Sequence, residues 1–265
     1  MLTANMASYG ALVRAAFLDG MARRRTALFA FLGNLAWLVI PYSIWREAYS
    51  SVHRVGGFDW GQMRTYLVWS FLINGLLTFR VETQLFNRVR TGEILMELIR
   101  PIDLQKGRLA MVVGGILADG LFSIPSMLVL AGIFLRPLAP VSVEAGAAFG
   151  VSVVLGFVVK FLISYLTAAV SLWTENIVGL VWLRNAVTDV LSGAVVPLVL
   201  LPPALATVAA WSPFEAIVYI PLSVYLGHVA PLSALAAQAA WVVVLWLLAR
   251  AVWSVGLTRL TVLGG

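Results

Sequence analysis

Six stretches of this chain are long and apolar enough to cross a bilayer, and they limit what it can fold into more than any other feature. They run from about Thr26 to Trp45, Met63 to Phe79, Leu109 to Phe134, Ala145 to Ser171, Ala186 to Leu201 and Leu232 to Ser254. A helix needs ~20 mostly apolar residues to cross a ~30 Å hydrocarbon core. Backbone polar groups in lipid must be satisfied within the segment, which leaves helices for a pattern of this kind. Composition agrees. The 265 residues are 61% hydrophobic and 11% charged, whereas a soluble domain carries about 25% charge. The excess apolar surface has lipid as its solvent. The predicted fold is all-α: a polytopic integral membrane protein with six transmembrane helices, forming a single transmembrane domain over 1–265.

Lysine occurs twice, at Lys106 and Lys160. A phosphate-binding P-loop needs Gly-x-x-x-x-Gly-Lys-Ser/Thr. Lys106 is followed by Gly107 and Lys160 by Phe161, so the chain has no such ATPase motif. Any pumping is driven by another subunit or by an ion gradient. The absence of Cys excludes disulfides, zinc-thiolate sites and thiol catalysis. His53 and His228 lie in outer segments without metal-ligand spacing. No Ser/His/Asp arrangement or carboxylate dyad stands out, so the chain reads as neither an enzyme nor a metal binder. The net charge of +6 does not indicate nucleic acid, because Arg clusters at the ends of apolar stretches and not along one soluble face.

That clustering sets the orientation. With the N-terminus in the cytoplasm, all 18 Lys and Arg residues lie in cytoplasmic segments except Arg46, Arg54, Arg64, Arg136 and the intramembrane Lys160. The positive-inside bias therefore places both termini in the cytoplasm. Residues 1–25 show no cleavable signal. Tyr9 to Met21 reads as an amphipathic interfacial helix, with Leu12, Ala15, Ala16 and Phe17 on one side, ahead of Arg23, Arg24 and Arg25. Pro202-Pro203 breaks the fifth stretch. Residues 204–230 are apolar but interrupted by Pro213, Pro221 and Gly227, which predicts a re-entrant helical element at the outer surface.

Two sets of residues carry chemistry within the spans. Gln62, Tyr66, Ser70, Asn74, Thr78 and Glu82 recur every fourth residue, so Tyr66 to Thr78 share one face of the second span. Such a row lines a translocation pathway or hydrogen-bonds a neighbouring helix. Asp119 and Lys160 lie at similar depth on consecutive antiparallel spans. Intramembrane charges pair or face water, which predicts an Asp119–Lys160 pair, structural or proton-coupling in role. Asp189 lies near the cytoplasmic end, beside Arg184. Gly146 and Gly150, continued by Ser152 and Gly156, predict close helix packing.

The longest polar stretch, 82–108, is cytoplasmic. It alternates Leu85, Phe86, Val89, Ile94 and Leu98 with Arg88, Arg90, Glu93 and Glu97 until Pro101 stops the helix. Apolar anchors beside orienting charges suit a docking helix for a soluble partner. A helix packed on the protein's own inner surface is the alternative. Gly92 lets the helix bend or lets a partner approach.

Several segments together resemble a known family. They are Arg23-Arg24-Arg25 after the N-terminal helix, Thr91-Gly92-Glu93-Ile94 followed by Leu98-Ile99-Arg100-Pro101, and Val196-Pro197-Leu198 with Pro202. Trp211-Ser212-Pro213-Phe214, Pro221 with Tyr225-Leu226-Gly227, and Gly256-Leu257-Thr258-Arg259 with Gly264 continue the pattern. It is similar to the type-2 permeases of ABC transporters (the ABC-2 type), in the branch whose six-span permease is separate from its ATPase. The resemblance implies a half-unit. Two permeases, identical or paralogous, assemble in the bilayer with two ABC ATPase subunits, which bind the ATP and Mg while this chain binds no cofactor. The loop after the second span is then the coupling helix, with Phe86, Arg88, Val89, Arg90, Gly92, Glu93, Glu97 and Arg100 as its ATPase-facing residues. The pathway runs between the permeases along their second and fifth spans, and the family mostly exports. The implied location is the bacterial inner membrane. A secondary transporter or channel using Asp119 and Lys160 is the alternative function, and a non-transporting scaffold is a third.

Overall fold

Hydropathy becomes helix through most of the chain, and the breaks carry the information. The computed structural model describes residues 2–22, 24–78, 81–99, 101–130, 132, 135–174 and 176–263, with side chains described for all of these except 2–5, 24–37, 130 and 259–263. Arg23, Phe79, Arg80, Arg100, Phe134 and Gly264 lie outside the described residues, as do the side chains of Arg24, Arg25 and Arg259. In order the elements are α1 (Leu2–Ala22), α2 (Arg24–Ser51), β1 (Arg54–Val55), β2 (Phe58–Asp59), α3 (Trp60–Leu76), α4 (Val81–Arg90), α5 (Glu93–Leu98), α6 (Leu104–Leu130), α7 (Val143–Ala169), α8 (Val178–Leu191), α9 (Pro203–Ala210), α10 (Tyr219–Tyr225) and α11 (Pro231–Leu263).

Among the described residues three helices are long and apolar enough to cross a membrane, over Leu104–Val129, Val143–Leu172 and Pro231–Thr258. These are the predicted third, fourth and sixth spans. The first predicted span falls on α2, which extends past it in both directions, and the second on α3, which has 17 residues. The fifth prediction is corrected. Ala186 to Leu201 is not one helix: α8 starts at Val178 and stops at Leu191, and the chain then runs irregularly through Ser192 to Pro197. The all-α expectation also misses a small antiparallel hairpin, in which Arg54 pairs with Asp59 and Val55 with Phe58. It feeds α3 through a capping box. Asp59 Oδ1 accepts from Gln62 N at 2.8 Å, and Gln62 Oε1 accepts from Asp59 N at 3.2 Å.

α7 is the centre of the core and packs on α11, α10 and α4. Val159, Phe161, Leu162, Ile163 and Tyr165 are all buried although they point in different directions around the helix, as expected for a helix surrounded by others. The predicted small-residue ladder packs closely at its Ser152–Gly156 end and not at Gly150. Nothing crowds Gly150, whereas a Cβ on Gly156 would lie 2.7 Å from the Ala216 carbonyl oxygen. Only glycine lets the turn at Pro213–Ala216 come so close to α7. Ser152 Oγ donates to Gln238 Oε1 at 2.8 Å, and Gln238 Nε2 donates to the Ala216 carbonyl at 2.8 Å, tying α7, α11 and this turn together.

α1 packs lengthwise and in parallel along the first half of α6. The Asp103 amide donates to Tyr9 Oη at 3.2 Å, and farther along the helix Gly20 meets Ala118. The face predicted to lie in the membrane surface, at Leu12, Ala16 and Phe17, turns toward α6 at Gly107 and Gly114. α6 in turn neighbours α1, α2 and α3.

Candidate functional site

The break after α8 explains the polar row on α3. At Ser192 the helix ends, and Gly193 adopts φ +77°, a left-handed conformation that favours glycine. The carbonyls beyond it have no helical partners, and in an apolar setting each needs a donor. α3 supplies them. Tyr66 Oη donates to the Gly193 carbonyl at 2.6 Å, and Ser70 Oγ donates to the Ala194 carbonyl at 2.7 Å. One turn farther, Asn74 Oδ1 accepts from Lys160 Nζ at 3.0 Å. Thr78 Oγ1 donates back to the Asn74 carbonyl at 3.0 Å. Tyr66, Ser70 and Asn74 thus link α3 to the broken span and to α7.

The same row borders a cleft of about 560 Å³, within the usual size range of small-molecule sites. Leu38, Ile40, Pro41 and Ile44 of α2 form one wall. Leu67, Ser70, Phe71, Asn74, Gly75 and Thr78 of α3 form the second, and Asp189, Ala194 and Val195 close it. Tyr66 is buried behind this surface, not part of it.

The predicted Asp119–Lys160 pair is corrected. Lys160 is hydrogen-bonded to Asn74, and the acidic charge acting on it is that of Asp189. The physical reason is helix order: α6 packs on α1, α2 and α3, whereas α7 packs on α11, α10 and α4, so consecutive spans are not packed neighbours here. Asp189 stands where the sequence places it, toward the loop end with its charge acting on Arg184, but sequence reasoning assigns it no role at the site. It lines the cleft, and the only signal for it in the sequence was an acidic residue inside an apolar stretch.

The 82–108 loop is clamped to the protein's own surface. Glu82, at 2% exposure, ion-pairs with Arg184 of α8. Glu97 is gripped by Arg88 and by Arg108, whose Nη2 lies 2.6 Å from Oε1, and Asp103 Oδ2 accepts from Arg250 at 2.8 Å. Leu85 and Ile94 are buried in the core, and Val89 packs against it. Ile94 and Glu97, predicted to face a partner, are therefore directed inward. α5 has six residues, apolar nearly all round, so one side anchors while the other stays open. The open side shows Leu95, Met96, Leu98 and Ile99, the last at 76% exposure, beside exposed Glu93. Phe86 is half-buried with the Arg90 guanidinium 5.7 Å from its ring centroid. Gly92 takes φ +73° with open space around it, so its role is the bend before α5.

The long apolar helices are those of a membrane protein, as the resemblance implies. The sequence profile of the "ABC-2 family transporter protein" family matches residues 35–264. The chain belongs to the ABC-2 transporter family. No curated protein matches it. A permease of this family is the membrane component of an ABC transporter, a multi-pass membrane protein that works with ABC ATPase subunits and is not itself catalytic. Among the described residues no group of His, Asp or Glu could hold a metal ion.

Proposed function

We propose that this permease is the translocating half-unit of an ATP-driven exporter. It forms its pathway with a second permease, identical or paralogous, in a bacterial inner membrane, with both termini in the cytoplasm. The observation that carries the reading is the cleft between α2, α3 and the broken α8, bordered by Ser70, Asn74 and Thr78 and left open along one side. Trp182 and Leu183 of α8 are exposed, an apolar face available to a second permease. Leu95, Met96, Leu98 and Ile99 support docking of the ATPase on the clamped loop, and ATP and Mg bind on that partner. The ion-coupled alternative is weakened, because Lys160 bonds Asn74 and is 7% exposed.

The test is Gly75→Trp. Gly75 is exposed in the cleft wall with nothing within 4 Å of an added Cβ, so the indole occupies the cleft without disturbing the core. Reconstituted with its ABC ATPase partner, the variant should retain the ATPase and lose export. Undiminished export would refute the pathway.

A further inference from the structure

The cleft is graded in polarity along its length. At its loop end stand Thr78, Asn74 and Asp189, and toward the hairpin end stand Leu67, Phe71, Ala194 and Val195. Most of its polar groups are already used. Ser70 Oγ is bonded to Ala194, Thr78 Oγ1 to the Asn74 carbonyl, and Asn74 Oδ1 to Lys160. Arg184 is held by Glu82. Lys160, 7% exposed, lies behind Asn74 and does not line the cleft. The Asp189 carboxylate lines it; the charges of Lys160 and Arg184 act on it, but among the described residues it makes no direct hydrogen bond or contact ion pair. A carboxylate in an apolar cleft needs donors.

We infer that the cleft takes an amphiphile with an amino head, the head against Asp189 and Asn74 at the loop end and the hydrocarbon along Leu67, Phe71 and Val195. The inference rests on the cleft being the pathway. Its alignment is that of a lipid-like molecule in the leaflet nearer the loop, entering from the open side. Lys160 and Arg184 partly offset the charge of Asp189, so the preference over an anionic head is that of one charge-assisted hydrogen bond, about tenfold and not thousandfold.

The test uses the absence of native Cys. Val195→Cys, at 56% exposure in the cleft wall, is alkylated with a maleimide in the full-length permease in nanodiscs. Protection by n-dodecylamine and by n-dodecyl sulfate is compared at equal mole fraction in the bilayer. The amine should protect at about one-tenth of the sulfate concentration, and Asp189→Asn should remove the difference while Asp189→Glu keeps it. Equal protection by both amphiphiles in the native background, or a preference unchanged by Asp189→Asn, overturns the amino-head assignment and leaves the pathway standing. A Val195→Cys thiol that no maleimide reaches overturns the pathway reading itself. The comparison of amphiphiles in the native background keeps the inference open to refutation even where Asp189→Asn fails to fold.

Discussion

Removing one member of the Glu82–Arg184 pair should destabilise the permease more than any other single change of charge at the loop. The side chains are 2% and 10% exposed, so neither is screened by water as a surface pair would be. At an effective dielectric of about 20, charges about 4 Å apart attract by about 4 kcal/mol. Burying them costs a similar amount, so the intact pair contributes little net. Deleting Arg184 strands Glu82, and deleting Glu82 leaves Arg184 only the charge of Asp189, with which it makes no contact pair; either costs about 3–5 kcal/mol. Glu82→Gln and Arg184→Gln should each lose on that order, and Glu82→Leu with Arg184→Met should recover to within about 1 kcal/mol of the native protein. The assay is reversible unfolding in mixed micelles, read by Trp fluorescence and arranged as a double-mutant cycle. Losses of about 1 kcal/mol or less for each single, the value of an exposed pair, or a double equal to the sum of its singles, would refute the reasoning.

Met96→Glu with Ile99→Glu places charge on the open side of α5 while leaving the Glu97 clamp intact, and should abolish co-purification of the ATPase with at most about 0.5 kcal/mol lost from the permease. Retention of the ATPase in a pull-down would exclude this face. Tyr66→Phe leaves the Gly193 carbonyl without its donor and should cost about 1–3 kcal/mol, with faster alkylation of a thiol at Val195 as the broken span loosens. An unchanged alkylation rate would show that Tyr66 does not hold the break. Burial lowers the pKa of His228 below its ordinary value, against the opposing charge of Asp59. Gln62 Nε2 lies 3.2 Å from its Nε2, a contact in which the neutral ring accepts. The unfolded chain therefore binds the proton first, and stability present above about pH 6.5 is lost as pH falls below it. The melting temperature of the native protein relative to His228→Gln should fall between pH 8 and pH 5, and a constant difference would show that His228 does not titrate in this range.

What the sequence made legible was what a local pattern can carry. α6, α7 and α11 fall within a few residues of the predicted spans at most of their ends, because hydropathy over twenty residues is a strong signal. The every-fourth-residue row on α3 was legible for the same reason. Its purpose was not, since that depended on where α8 breaks. Ser192-Gly193 marks the break, yet it sits inside an apolar run that hydropathy reads as continuous. The partners of Lys160, Glu82 and Glu97 were hidden in a different way. Each lies across a helix contact, and no spacing along the chain distinguishes Arg108, eleven residues past Glu97, from Arg184, more than a hundred past Glu82. Equal depth on consecutive spans made Asp119 the natural partner for Lys160, but depth is one coordinate and helix order is another. The pathway-or-packing alternative for the row also rested on treating the two as exclusive. Ser70 bonds the Ala194 carbonyl and lines the cleft, and Asn74 bonds Lys160 and lines the cleft. A group that fastens a broken helix must lie where the helix is broken, and a broken helix leaves a gap beside it. The packing contacts and the cleft wall are therefore formed by the same residues.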